Sequence, residues 1–148
     1  MITSTRNPKI QALRALQSRA KNRRESGAFV VEGVRLAEEA LASNWPLRHA
    51  YYTEGLSERG KQVLAEIQAG GYECELVSEE VMASASDTKS PQGILLELAQ
   101  QQLDLPDTSS SILILDKVRD PGNVGTLLRS AAAAGADAVL LAPGCADT

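Results

Sequence analysis

The chain has little of several things. Its 148 residues include one histidine, two cysteines and five aromatics. No apolar run approaches the roughly 18 residues needed to cross a membrane. His49, with Cys74 and Cys145 standing 71 positions apart and no CxxC, does not make a metal site. Such a site takes about three or four ligands. Two thiols are too few for a disulfide-knotted secreted module. They are expected to be reduced, in a cytoplasmic protein, a single disulfide being the alternative. No secretory hydrophobic segment follows Met1. The 43% hydrophobic and 23% charged fractions are those of an ordinary soluble globular chain, which excludes collagen and acidic disorder.

Acid is missing from the start. Residues 1–24 hold Arg6, Lys9, Arg14, Arg19, Lys21, Arg23 and Arg24 with no Asp or Glu, a charge of +7. The remainder carries −11, and the formal net charge is −4. A basic segment on an acidic body points to an anionic partner, nucleic acid or a membrane surface. The same composition suits a mitochondrial transit peptide. Helix signals place the segment within the fold instead. Asn7-Pro8 supplies an N-cap and a proline at the first helical position. Ile10, Leu13, Leu16 and Ala20 then recur at helical spacing, up to Gly27.

The chain continues as alternating strands and helices. Phe29-Val30-Val31 reads as a strand, and Val34, Leu36, Ala37, Ala40 and Leu41 as a helix broken by Asn44-Trp45-Pro46. Residues 47–53 read as a strand in which one of Tyr51 and Tyr52 faces inward and the other outward. Ser57 caps a helix with Val63, Leu64 and Ile67, stopped at Gly70-Gly71. Residues 73–77 alternate as a strand, Ser78 opens a short helix with Val81 and Met82, and Ile94 to Leu98 follow a turn at 90–93. This alternation predicts an α/β sandwich over residues 1–98.

Residues 99–111 (AQQQLDLPDTSSS) are polar, with Pro106 and three serines, and read as a linker. Ile112 to Leu115 is an unbroken apolar run, suited to a parallel strand buried on both faces. A loop follows, then a helix from Thr126 to Ala134 and a second buried strand from Ala138 to Ala142. This is one βαβ unit. Residues 112–148 number 37, whereas a doubly wound domain needs on the order of 100. The second domain is therefore expected to be incomplete, or covered by a partner.

The loop carries the chemistry. Asp116 stands at the carboxyl end of its strand, where open α/β sheets bind ligands. Asp120-Pro121-Gly122-Asn123 has strong turn chemistry, with Asn123 a possible helix cap. Gly125 permits a close approach by backbone or ligand. Arg129 is the one charge between Thr126 and Gly135 and must reach a partner or water. Asp116 and Asp120 are its candidate structural partners. The loop matches neither GxxxxGK nor GxGxxG, so a nucleotide-dependent α/β enzyme has little support.

The run from Asp116 through Val118, Asp120, Pro121, Asn123, Gly125, Arg129 and Ala131 to Gly135 resembles the first signature motif of the SpoU/TrmH RNA ribose 2′-O-methyltransferases. Asn7-Pro8-Lys9, residues 27–36 and Ser90-Pro91-Gln92-Gly93-Ile94 resemble that family's L30e-like substrate-recognition domain. The resemblance implies an L30e-like α/β/α sandwich followed by the first βαβ unit of a Rossmann-like SPOUT domain, which carries a trefoil knot. It implies S-adenosylmethionine as methyl donor, a homodimer, and Asn123 and Arg129 in the catalytic centre. The family's knot-forming motifs fall beyond residue 148, so no cofactor-binding residue is assigned and a complete donor site is not expected. Lys9, Arg19, Lys21, Arg23 and Arg24 are the candidate RNA-binding residues, through sequence-blind phosphate contacts. The expected RNA is ribosomal or transfer RNA, with ribosomal RNA slightly favoured. A non-catalytic L30e-like RNA-binding module is the alternative.

Overall fold

The structure, a computed structural model, describes residues 1–101 and 103–147; Gln102, inside the polar stretch, and Thr148 lie outside them. Helix α1 (Pro8–Ser18) starts as its sequence dictates. The Asn7 side chain accepts from the Lys9 N–H at 2.9 Å, and proline occupies the first turn. The helix ends sooner than its apolar spacing suggests. Arg19 is extended (φ −139°, ψ 118°), and a separate helix α2 (Ala20–Ser26) follows. The last carbonyls of α1 are taken by side chains of α2. Asn22 Nδ2 donates to Ala15 O at 3.0 Å, and Arg23 Nη1 donates to Leu16 O at 2.7 Å and Gln17 O at 3.1 Å. These bonds replace the next turn of α1. Gly27 then adopts the left-handed conformation (φ 59°) that ends α2.

Strand β1 (Ala28–Glu32) leads to α3 (Val34–Ala42), β2 (Leu47–Tyr52) to α4 (Glu58–Ala69), and β3 (Cys74–Leu76) to α5 (Glu79–Ala85). Strand β4 (Ile94–Ala99) follows. The sheet order is β1-β4-β2-β3, with β4 antiparallel to both neighbours and β3 parallel to β2. Ser57 and Ser78 cap α4 and α5, accepting from the Gly60 and Val81 N–H groups at 3.1 and 3.3 Å. A core covers each face of this sheet. Val34, Ala37, Val63 and Ile67 pack on one face against Ala50, Ile94, Leu96 and Leu98. Ile10, Leu13, Val81 and Met82 pack on the other against Tyr51 and Leu95. The result is a three-layer α/β/α sandwich. It also corrects the expectation for the tyrosines: Tyr51 is buried in one core while Tyr52 packs against the other, because neither face is left to water.

Two compact units divide the chain, Met1–Gln101 and Gln102–Thr148. Ala99 and Gln100 belong to the first, since Ala99 pairs with Ala28 and the Gln100 N–H donates to Gly27 O. At the far end of the polar stretch, Ser110 and Ser111 are tied to the second. Their N–H groups donate to the Asp137 carboxylate at 2.7 and 2.9 Å. Leu103 and Leu105 between them are exposed.

The second unit pairs β5 (Ile112–Leu115) in parallel with β6 (Ala138–Leu141), connected through α6 (Pro121–Ala133). Burial departs from the sequence expectation. Leu115 is buried, but Ile112 and Ile114 are 42% and 64% exposed. Burial on β5 is thus one-sided, and in α6 Val124 and Ala131 are the buried residues.

Candidate functional site

Helix α6 begins five residues before the expected Thr126, and Asn123 is not its cap. Asp120 is the N-cap: its Oδ1 accepts from the Asn123 N–H at 2.7 Å, with Pro121 in the first turn. Asp120-Pro121 thus resembles Asn7-Pro8 in use, and the whole turn sequence becomes the first helical turn. Asn123 is freed from capping, and its side chain is exposed at the helix start.

Arg129 is also exposed and leans toward the start of α6, the normal lean of helical side chains. Its Nη2 donates to Thr126 Oγ1 at 3.2 Å, and the Thr126 hydroxyl donates to Gly122 O at 2.9 Å. A Cβ on Gly125 would lie 3.3 Å from Arg129 Nη1, so the close approach that Gly125 permits is that of the guanidinium. No ion pair joins Arg129 to Asp116 or Asp120 among the described residues; its guanidinium lies on an exposed helix face. No hydrogen bond joins Asn123 to Arg129 there either.

The loop before α6 is held from the other side. Ala142 N donates to Leu115 O at 2.8 Å, Ala146 N to Val118 O at 2.8 Å, and Cys145 Sγ to Leu115 O at 3.3 Å. Residues 116–118 and 142–146 therefore lie side by side at the carboxyl ends of β5 and β6. Lys117 has φ 54°, an uncommon conformation for a residue with a β-carbon. Asp116, Lys117, Arg119 and Asp120 are all exposed. This edge offers carboxylates and backbone groups.

The five candidate RNA contacts in the first unit are placed unequally. Lys9 forms an ion pair with Glu75, which holds that carboxyl below, and the Lys9 amine above, their ordinary values. Lys21 is 3.7 Å from Glu25, one helical turn on. Arg23 caps α1. Arg19, at the break between the helices, and Arg24 are exposed. Thus α1 and α2 present a basic surface, but part of its charge serves the fold.

A cleft opens elsewhere in this unit, lined in part by Val34, Arg35 and Pro91 to Gly93 from the stretches that resemble a substrate-recognition domain. Its volume is about 400 Å³, and Arg35, Thr53, Arg59 and Glu79 line it. A buried hydroxyl without a partner, at Thr53, is its one distinguishing mark, and no sequence pattern announces that.

Residues 7–96 match the MRM3-like substrate binding domain, and residues 110–148 match the SpoU rRNA Methylase family. The chain therefore belongs to the MRM3-like substrate binding domain family, and its last 39 residues are similar to the SpoU rRNA Methylase family. It is 34% identical over 148 residues to the 23S rRNA (guanosine(2553)-2′-O)-methyltransferase of Bacillus subtilis, covering 99% of this chain and 56% of that protein. The AdoMet-bound rRNA methyltransferase of Sinorhizobium meliloti superposes with a TM-score of 0.80 at 33% identity, over 99% of this chain and 55% of that one. The AdoMet complex of the SpoU methyltransferase AviRb from Streptomyces viridochromogenes gives 0.79 at 25% identity, over 96% of this chain and 55% of that one. The chain spans about half the length of the curated relatives it matches.

Proposed function

We propose that this chain supplies the substrate-binding domain and first catalytic motif of an enzyme that methylates a ribose 2′-hydroxyl of RNA, with S-adenosylmethionine as donor. The observation that carries the reading is the exposed pair Asn123 and Arg129 on a helix capped by Asp120, at the carboxyl end of a parallel strand. Methyl transfer from a sulfonium needs no acid at the leaving group; it needs a nucleophilic oxygen held in line. S-Adenosylmethionine supplies the methyl group, and the roles of this chain's residues concern the RNA alone.

Arg129 is always protonated and is poorly suited as a base. Its role is to hold an RNA phosphate and stabilise the developing alkoxide, whose proton passes to solvent water. Asn123, released from capping, is positioned to bond the ribose. Ribosomal RNA is the favoured substrate, by analogy with the rRNA methyltransferases that the chain is similar to. A cytoplasmic location and pairing of two copies through the second unit complete the proposal and rest on the family resemblance. No helix among the described residues is long and apolar enough to cross a membrane.

The test is methylation of ribosomal RNA by the intact protein, read by tritium transfer from the donor. Arg129→Lys keeps the charge and loses the planar fork. It should lower kcat at least roughly tenfold, the loss of one transition-state hydrogen bond. Unchanged kcat would remove the bidentate role. No transfer to any RNA by the wild type would remove the function.

A further inference from the structure

Three helix starts meet at one edge of the first unit. Strands β1, β2 and β3 all run opposite to β4, and each is followed by a helix, α3, α4 and α5 in turn. The carboxyl ends of the strands and the N-termini of the helices therefore share that edge, the usual place for a ligand in an α/β sheet. The cleft of about 400 Å³ lies here, bordered by Val34, Arg35, Thr53, Arg59, Glu79 and Gly93. Its size falls in the range of small-ligand sites, large enough for a nucleoside.

The cleft holds a polar group that the protein does not use. Thr53 is 2% exposed, and its hydroxyl has no hydrogen-bond partner among the described residues. Buried polar groups without partners are rare and destabilising, so one kept at the floor of a cleft calls for a ligand. Its surroundings keep it clear. Gly93 has φ +76°, and a Cβ there would stand 2.7 Å from Thr53 Oγ1. A Cβ on Gly55 would stand 3.8 Å from Thr53 Oγ1 and 3.0 Å from Glu79 Oε1. One small volume is thus flanked by a hydroxyl and a carboxylate oxygen.

Charge decides what fits. Arg35 and Arg59 at the rim are already paired with Glu39 and Glu38. With the exposed Glu79 carboxylate lining it, the cleft is unsuited to a free phosphate. It suits a neutral group that presents N–H donors. Guanine offers N1–H and N2–H₂ side by side, a match for one carboxylate, whereas uracil offers a single N–H between two carbonyls.

We propose that this cleft receives one unstacked nucleotide of the RNA substrate, a guanosine whose base is read by the Glu79 carboxylate and the Thr53 hydroxyl. This deepens the RNA reading above and rests on it. RNA-binding proteins commonly take sequence information from such splayed bases. The surface of α1 and α2 would then give sequence-blind attraction, and the cleft would give selection.

The test titrates the isotope-labelled 148-residue chain with two single-stranded octamers, all-uridine and all-uridine with one central guanosine, by NMR. The guanosine octamer should shift the amides of Val34, Thr53, Gly55 and Gly93 and bind roughly tenfold tighter, as one good base contact provides. Glu79→Gln and Thr53→Val should each remove most of that preference. Glu79 is exposed, so its variant tests the cleft even if Thr53→Val disturbs the fold. Equal binding of both octamers would overturn base reading. Shifts confined to α1 and α2 would overturn the cleft and leave RNA binding standing. No shift with either octamer would overturn the cleft, and methylation by the intact protein would then decide the RNA reading separately.

Discussion

At the scale of single residues, two aspartates do structural work close to the proposed chemistry. Asp120 caps α6 through the Asn123 N–H. Asp120→Ala should weaken the first turn of α6 by about 1 kcal/mol, the usual value of an N-cap. Faster hydrogen exchange at the amides of residues 122–124 would register it. Asp137 holds the Ser110 and Ser111 N–H groups, and these bonds lower its carboxyl below the ordinary value of 3.8. A depressed carboxyl stabilises the folded state fully above its unfolded pKa, and that contribution is lost as pH falls through the folded one. The amides of Ser110 and Ser111 should therefore stay protected at neutral pH and lose protection below about pH 4. Asp137→Asn should lose that acid-dependent step, as exchange measured against pH would reveal.

At the scale of elements, the break between α1 and α2 separates two kinds of arginine. Arg23 bonds two carbonyls of α1, so Arg23→Ala should destabilise the first unit by about 1 kcal/mol in thermal unfolding. Arg19→Ala should leave the melting temperature within about one degree of the wild type, being an exposed change. It should instead lower the salt dependence of RNA binding by about one unit of slope. The sequence could not make this division, because nothing between Ser18 and Ala20 is a glycine or proline. Helix breaks made by long-range side-chain caps leave no local mark. The start of α6 was missed for the opposite reason. Pro-Gly-Asn reads as a turn by composition, yet a proline at the first helical position after a capping aspartate opens a helix, as Asn7-Pro8 does. The three-layer sandwich was legible because each helix and strand carries its own period. The loop motif was legible as a pattern, while the lean of Arg129 over Gly125 is a matter of rotamer that sequence does not record.

At the scale of the molecule, the two units are unlike in cover. The first has four strands with a core on each face, and the second has two strands with Ile112 and Ile114 of β5 exposed. Two paired strands are marginal in water unless something packs on them. In this chain, amides of β5 and β6 should exchange at least roughly a hundredfold faster than those of β4, a local difference of about 3 kcal/mol. Equal protection in both units would show that the second is as stable as the first. The apolar runs at 112–115 and 138–141 suggested burial on both faces, because a sequence records what a strand is suited to and not what covers it.

The position of β4 has a further consequence, for the order in which the first unit can fold. This strand is made last, yet it sits between β1 and β2 and bonds to both. Before Ile94 to Ala99 leave the ribosome, β1 and β2 have no shared neighbour, and the two cores cannot close. Helices and the β2-β3 pair can form early, but the sheet waits for its final strand. The nascent domain should therefore stay open through most of its synthesis and close in one late step, once β4 inserts between strands already made.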